Sequence, residues 1–307
     1  MRALSTEIRE ALQGDAGVVA VAAPGDGPGY WAGGPSGVYR DGVYWLAYRL
    51  RRPVGLGRGY ANVVARSEDG VTFETVSVVT NEPFGSASLE RPALVPLPGG
   101  GWRLYVSCSK PGSKQWWVES IDVDDPSGFS TAPHRVVLAS DDATAWKDVV
   151  VHRDGDEWRM WACRHPLDGG DDEADRMGTW YATSGDGLEW ELHGPALQPV
   201  PGSWDARGTR IASVIRDDDR WVAFYDGRAS AEQNWHERTG VASGDGPGSF
   251  VSDGRPLRGD DPTALRYLSV VRVGEGFRLY FELARPDGAH DLRTVYVTGP
   301  SPSSQSS

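Results

Sequence analysis

Five stretches of the chain decide the fold: DGVYWLAYR (41–49), GGGWRLYVS (99–107), DGDEWRMWA (154–162), DDDRWVAFYD (217–226) and GEGFRLYFE (274–282). Each begins with a turn and continues with an aromatic residue and alternating apolar residues, which is the pattern of a half-buried strand. Their aromatics are spaced by 58, 56, 63 and 56 residues when Tyr44, Trp102, Trp158, Trp221 and Phe277 are aligned. Near-equal spacing of one pattern indicates a repeat architecture.

The repeated unit has the signals of four antiparallel strands. An apolar stretch precedes each aromatic strand across a hairpin turn, and a third strand ends in a second recurring turn, such as SEDGVTF (67–73) or SGDGLEW (184–190). A fourth short strand follows, giving a unit of about 57 residues. Five such units predict an all-β fold, a five-bladed β-propeller.

The repeats leave little of the chain over. We expect one propeller domain at 17–298, an N-terminal helical extension at 1–16 and a flexible tail at 299–307. The last unit lacks its fourth strand, and VVAVAA (18–23) is expected to supply it and close the ring. Most tryptophans are expected to pack between blades, and Cys108 and Cys163 to be buried free thiols.

Composition excludes several classes of function. The 307 residues have a formal charge of −12, which disfavours nucleic acid and anionic membranes as partners. No HExxH, P-loop or GxSxG motif occurs, and two cysteines are too few for a disulfide framework or a four-cysteine zinc site. The N-terminal sequence lacks the pattern of a secretory signal, so we expect a cytoplasmic protein.

Segments that lead into the innermost strand of each blade should surround one mouth of the central channel, where a propeller carries its site. Successive blades contribute one carboxylate each: Glu90, Asp148 and Asp205. Cations interleave with them: Arg91, Lys147, Arg207, Arg210 and Arg266. Aromatic faces accompany both: Trp31, Trp146, Trp204 and Tyr267. Carboxylates accept from hydroxyls, cations donate and aromatic faces cover sugar rings, so this set suits a polyhydroxylated ligand.

Two long polar loops are expected at the same mouth, at 163–176 and 225–238. The second carries Asp226, Trp235, His236 and Glu237, of which the last three are taken as further ligand contacts. An alternative stays open for all these charges, because alternating Asp, Glu and Arg can form a salt-bridge network that only locks the blades together. No local spacing indicates a metal, and no cofactor is indicated. The oligomeric state is open.

With five blades and a carboxylate-bearing mouth, the sequence resembles the five-bladed propeller glycoside hydrolases of families 43 and 32. The resemblance covers residues 17–298 and is carried by the recurring turn and by WKDVVVHRDGDEWRMWA (146–162). It implies that Asp148 occupies the family's carboxylate position, with Lys147 and Val149 where the family has Arg and Pro. Such enzymes use carboxylates from separate blades as acid, as base or nucleophile, and as a third, tuning group.

The resemblance assigns Asp148, Glu90 and Asp205 as catalytic, with Glu90 as general acid if burial raises its pKa. The arginines would hold hydroxyls or an anionic substituent of a small carbohydrate or glycosylated metabolite. The family's first-blade aspartate is missing, since that place reads Ala32-Gly33-Gly34-Pro35. The carboxylates are therefore redistributed, or the chemistry is non-hydrolytic and biosynthetic, or the propeller only binds a sugar or metabolite. A protein-interaction propeller ranks last, because few loop segments are apolar.

Overall fold

A computed structural model describes residues 4–14, 17–217, 219–259, 261 and 263–299. Apart from Gly299, the predicted tail lies outside the described residues. Helix α1 spans Leu4–Gly14, inside the predicted N-terminal extension, and α2 spans Gly170–Ala174. Short 3-10 helices occupy Val54–Leu56, Glu82–Phe84, Pro98–Gly100, Pro126–Ser130 and Ala231–Trp235.

The described strands form the predicted five antiparallel blades. After β1 (Val18–Val21), blade one contains β2 Trp31–Arg40, β3 Val43–Arg51, β4 Gly59–Ser67 and β5 Glu74–Thr80. Blade two contains β6 Ser88–Leu89, β7 Ala93–Pro96, β8 Trp102–Ser109, β9 Trp116–Val123 and β10 His134–Leu138. Blade three contains β11 Thr144–Asp154, β12 Glu157–Pro166, β13 Gly178–Ser184 and β14 Glu191–Leu197. Blade four contains β15 Gly208–Asp217, β16 Arg220–Arg228, β17 Arg238–Gly246 and β18 Ser249–Pro256. Blade five contains β19 Leu265–Val273, β20 Gly276–Ala284 and β21 His290–Val297.

The ring closes by joining the two ends of the chain. Strand β1 pairs antiparallel with β21, with Val18 opposite Thr294 and Val19 opposite Arg293. The predicted fourth strand of blade five is thus confirmed. Helix α1 covers the same blade, because Ile8 and Leu12 are fully buried in one cluster with Phe281.

The blades pack through the aromatic residues of the repeat. Trp102 and Trp158 lie in separate apolar clusters between neighbouring blades, with Trp45, Trp190 and Trp221 packed at the edges of such clusters. Cys108 and Cys163 are buried and unpaired, as expected. The recurring turn also takes its predicted form, since the Ser67 hydroxyl accepts the Gly70 N–H at 2.9 Å.

The innermost strands are irregular where they face the channel mouth. Register shifts interrupt four of these strands, and in blade two the inner strand is split into β6 and β7. At three of these breaks the backbone is left-handed: Gly34 (φ 60°), Asp148 (φ 52°) and Tyr267 (φ 54°). Aspartate seldom adopts this conformation, and a bulky tyrosine there is strained. Such strain is typical of functional sites, and here it falls on two residues of the predicted site.

Candidate active site

Several charged side chains of the mouth come from facing positions on the first two strands of a blade. The register pairs Gly33 with Arg49, Lys147 with Cys163, Arg210 with Asp226 and Arg266 with Glu282. Directly paired residues of an antiparallel ladder point to the same face. The charges of these strands therefore follow from the repeat and its register.

Asp148 is fully buried at the centre of this cluster. Its Oδ1 accepts the backbone N–H of Arg91 at 3.0 Å, and its own N–H donates to the Ser107 hydroxyl at 2.9 Å. Its Oδ2 has longer contacts, 3.3 Å to the Tyr267 hydroxyl and 3.5 Å to Arg210 Nη1. These contacts connect Asp148 to blades two, four and five.

Arg210 joins several carboxylates. Its guanidinium contacts Asp148, donates to Asp226 Oδ2 at 3.0 Å and forms a very short ion pair with Glu237. The guanidinium also lies 4.0 Å from the centre of the Tyr267 ring. Glu237 pairs in addition with Arg228 and lies 3.6 Å from Arg266 Nη1.

The pKa values of Asp226 and Glu237 are shifted in opposite directions. Burial raises the pKa of Asp226, and Glu237 adds to this, although Arg210 opposes the rise. Burial also acts to raise the pKa of Glu237, but Arg210, Arg228 and Arg266 outweigh it and hold that pKa at about 2. Glu237 is thus ionised at neutral pH.

Glu90 does not meet the condition set for a general acid. Burial acts to raise its pKa, but the cations Arg49, Lys147 and Arg58 outweigh burial and lower the pKa to about 2. Arg49 forms a very short ion pair with Glu90 Oε2, and the Ser88 hydroxyl lies 3.1 Å from Oε1. The condition on which Glu90 was assigned as general acid, a pKa raised by burial, is therefore not met.

Glu282 is a mouth carboxylate that the sequence prediction missed. It is fully buried, accepts from Arg266 Nε at 2.6 Å and lies 2.7 Å from His290 Nδ1. A Cβ on Gly33 would lie 1.8 Å from Glu282 Oε2. Blade five thus places a carboxylate in the space beside the blade-one segment that lacks one. Its signal in the sequence is an acidic residue ending the apolar run of GEGFRLYFE.

Arg51 is a buried cation without a carboxylate partner among the described residues, and only 4% of its surface is exposed. Its guanidinium lies 3.8 Å from the centre of the Trp31 ring and 5.1 Å from that of Trp235. Burial lowers the pKa of Arg51 to about 9, and the nearby charge of Arg49 contributes. A cation left uncompensated in this way favours an anionic ligand group.

Several residues that were predicted to contact the ligand lie away from the mouth or are already paired with other side chains. Asp205 is buried behind β16, where it accepts the Tyr225 hydroxyl at 2.6 Å, and the structure does not bring it to Asp148. Arg207 pairs with Asp172 and Asp175 in the 163–176 loop. Trp146 and Trp204 pack within apolar clusters rather than at the mouth.

The remaining predicted contacts are found around the mouth. The Trp31 ring is covered by Arg51, by Arg266 at 4.4 Å and by His290, stacked at 4.7 Å. Trp235 is 38% exposed, and His236 beside it is also exposed. Lys147 lies 4.3 Å from the centre of the Trp116 ring. Arg91 crosses the channel and donates to the carbonyls of Pro35 and Ala212 at 3.0 and 2.7 Å.

Within the described residues, no group of His, Cys, Asp and Glu side chains is arranged to hold a metal ion. None of the described helices is long and apolar enough to cross a membrane. The mouth is a cluster of arginines, carboxylates and aromatic rings.

Solved structures that superpose on this chain include glycoside hydrolases. A thermostable family-43 glycoside hydrolase superposes with a TM-score of 0.67 at 14% identity, covering 94% of this chain and 99% of its own. A GH43_1 enzyme from Xanthomonas citri complexed with xylotriose gives a TM-score of 0.64 at 15% identity, covering 97% and 94%. At these identities the likeness establishes the fold, a five-bladed propeller of the family-43 type.

Two further relatives are phosphorylases. The chain is 24% identical over 212 residues to a 1,2-β-oligomannan phosphorylase from Thermoanaerobacter sp. (strain X514), and the match spans 61% of this chain and 61% of that relative. The β-1,2-mannobiose phosphorylase of Listeria innocua, in complex with β-1,2-mannobiose, superposes with a TM-score of 0.63 at 14% identity, covering 88% and 90%. No family model matches the chain.

Proposed function

We propose that the mouth binds a small glycoside and exchanges a proton with it through Asp148, as a glycoside-cleaving enzyme does. The observation that carries this proposal is the difference between the two oxygens of Asp148. Oδ1 is fixed by a backbone N–H at 3.0 Å, whereas Oδ2 has contacts of only 3.3 and 3.5 Å. A carboxylate fixed on one side can exchange weak contacts on the other for a glycosidic oxygen.

The other carboxylates of the mouth supply negative charge. Cations hold the pKa of Glu90 and of Glu237 at about 2, and Arg266 and His290 lower that of Glu282 against the effect of burial. Glycosidic cleavage passes through a state with positive charge on the sugar ring, which fixed carboxylates stabilise. Glu282 occupies the space beside the blade-one segment that lacks a carboxylate. We assign Asp226, rather than Asp205, as the blade-four carboxylate of the site.

The substrate class follows from the donors and acceptors of the mouth. Arginines and Lys147 donate to sugar hydroxyls, carboxylates accept from them, and Trp235 offers a half-exposed ring at the rim. We propose a small glycoside or glycosylated metabolite rather than bulk polysaccharide. A cytoplasmic location belongs to the same proposal, and the free thiols Cys108 and Cys163 are compatible with it. Cell fractionation checks the location.

The proposed activity is tested by incubating the protein with activated aryl glycosides and with β-linked oligosaccharides and analysing the products. We expect release of the leaving group from at least one glycoside, because a positioned acid is combined with fixed negative charge. Calorimetric binding without any product would contradict the enzymatic proposal and support a sugar-binding propeller.

Arg51 favours a second candidate, phosphorolysis. In this reaction a phosphate oxygen attacks the anomeric carbon, the glycosidic bond breaks, and the leaving oxygen receives a proton through Asp148, giving a sugar 1-phosphate. A buried guanidinium without a carboxylate partner is suited to holding such an anion. The names of two relatives, both phosphorylases, support the same candidate.

Phosphorolysis predicts that product formation depends on inorganic phosphate. With phosphate present we expect a sugar 1-phosphate, and Arg51→Gln should lower phosphate-dependent turnover by about tenfold or more, because a charge-assisted bond of roughly 1.5–3 kcal/mol is lost. The matched control is Arg135→Gln, the same charge change at an exposed position of β10. Equal turnover with and without phosphate would leave hydrolysis as the reaction.

A further inference from the structure

A cavity lies in the channel, on the side away from the mouth. Its volume is about 540 Å³, within the range of small-molecule sites. It is lined by the inner strands beyond their irregular segments and by the first residues of the second strands, such as Trp221 and Phe277. The proposed function makes no use of this cavity.

The charged side chains lining this cavity are mostly positive, although the chain as a whole is acidic. Its lining contains one aspartate, Asp154, and five arginines: Arg91, Arg153, Arg159, Arg216 and Arg272. Asp154 is bound to Arg159 at 3.2 Å. Arg153, Arg216 and Arg272 occupy the same repeat position in blades three, four and five. Three blades therefore direct a cation to one rim, although exposed carboxylates pair with two of the arginines there, Asp156 with Arg153 and Glu157 with Arg159.

The inner end of the cavity presents hydrogen-bond donors. Arg91 is 3% exposed, and its Nη1 has no hydrogen-bond partner among the described residues. Ser36, Ser213 and Ser269 also line the cavity. Each of these hydroxyls accepts a backbone N–H from another blade, at 3.0 to 3.2 Å, which leaves its own hydrogen to be donated. Donors from four blades thus face one space.

The pKa of the His152 imidazole, at the side of the cavity, depends on the electrostatic potential there. Burial lowers its pKa to about 4, and the charges of Arg159 and Arg91 contribute. The imidazole is therefore neutral at pH 7 and adds no competing charge. An anion bound beside it would offset those two arginines and raise its pKa.

We infer that this cavity binds a small oxyanion, the phosphate or carboxylate group of a metabolite, between Arg91, the three serine hydroxyls and the arginine rim. Such an anion accepts hydrogen bonds and donates none, which matches a cavity lining that presents hydrogen-bond donors. Arginine binds planar or tetrahedral oxyanions through paired N–H groups. Arg91 lies between the mouth and this cavity, but the serines and the arginine rim lie outside the mouth, so a propeller that failed to cleave glycosides would still bind this ligand.

Calorimetry at constant ionic strength tests the inference, with inorganic phosphate and citrate as the two probes. We expect saturable binding of at least one, with the better probe identifying the phosphate or the carboxylate class. Arg272→Gln should weaken the binding that shifts the His152 resonances at least fivefold. Arg135→Gln and Arg51→Gln should leave that binding unchanged, because phosphate held by Arg51 would lie at the mouth. Glycoside turnover should be unaffected by Arg272→Gln.

The ring-proton resonances of His152, followed by NMR, locate the anion. We expect the bound probe to raise the pKa of His152 from about 4. Absence of saturable binding of either probe would overturn the inference. So would binding that Arg51→Gln abolishes and Arg272→Gln leaves intact, because the anion would then occupy the mouth.

Discussion

Gly33 shows how one residue sets the position of a neighbouring carboxylate. Glu282 lies so close to it that a Cβ there would overlap Oε2, at 1.8 Å. The carboxylate is also tied to Arg266 and His290, so it cannot move without breaking those bonds. The glycine is therefore required by the side chain that it faces.

Gly33→Ala should consequently lower the free energy of unfolding by about 1–3 kcal/mol, as overpacking in a filled interior does. The control is Gly55→Ala, because a Cβ at Gly55 meets nothing within 4 Å. Chemical denaturation of both variants measures the difference. Equal stability of the two would contradict the close approach of Glu282.

The mouth residues that could be identified from the sequence are those whose side-chain direction is determined by the repeat. Asp148, Arg210 and Arg266 lie in inner strands, and Arg91 lies between β6 and β7, the two parts of the split inner strand of blade two. The pattern of the blade predicts that these segments line the channel. Asp205 lies in an irregular loop, whose direction depends on packing. The Trp204 ring lies against Gly227 and Gly240, and it carries its neighbour Asp205 behind β16. No local pattern specifies that contact.

Asp226, expected in a loop at the mouth, and Glu282, not identified from the sequence, both lie in aromatic strands that a hydropathy pattern assigns to the core. Only the register, which pairs them with Arg210 and Arg266, shows that they face the channel. The hairpin turns, the five repeats and the closing strand were predictable, since each depends on local sequence. The ion pairs between blades depend on tertiary packing and were not.

Helix α1 is an element whose contribution can be measured. Ile8 is fully buried against blade five, next to the strand pair that closes the ring. Ile8→Ala should lower the free energy of unfolding by about 2–4 kcal/mol, from lost burial and the cavity left behind. Val251→Ala, at a residue 74% exposed, should change it little. An unaffected Ile8→Ala variant would contradict the docking of α1 on the propeller.

For the whole molecule, the buried ion network predicts sensitivity to acid. Cations hold the pKa of Glu90 and Glu237 at about 2, below the value of 4.5 for an ordinary glutamate, and that of Glu282 is lowered too. A depressed folded-state pKa stabilises the fold above the unfolded value, and this stability is lost as pH falls toward the folded value. Asp226, with a raised pKa, opposes the trend.

The melting temperature should therefore fall steeply between about pH 4.5 and pH 2, and calorimetric scans across that range measure it. Glu90→Gln should flatten the pH dependence while lowering stability at pH 7, because Arg49 is left buried without its partner. A melting temperature constant down to pH 3 would contradict the network.

The salt-bridge alternative and the catalytic proposal are compatible across the molecule. Glu90 joins blade two to Arg49 of blade one, and Glu237 joins blade four to Arg266 of blade five, whereas Glu282 pairs with Arg266 inside blade five. The same pairs fix negative charge in the mouth around Asp148. What separates an active mouth from a purely structural one is whether Asp148 reacts. The proposed glycoside cleavage therefore depends on that one carboxylate.

The most direct measurement compares Asp148→Asn with Asp205→Asn on the glycoside that product analysis identifies. Both replace a buried carboxylate with an amide of the same shape, but Asp205 lies outside the cluster. We predict that Asp148→Asn folds and loses about 10²- to 10⁴-fold in kcat/KM, whereas Asp205→Asn stays near the original value. Full turnover by a folded Asp148→Asn variant would contradict the account.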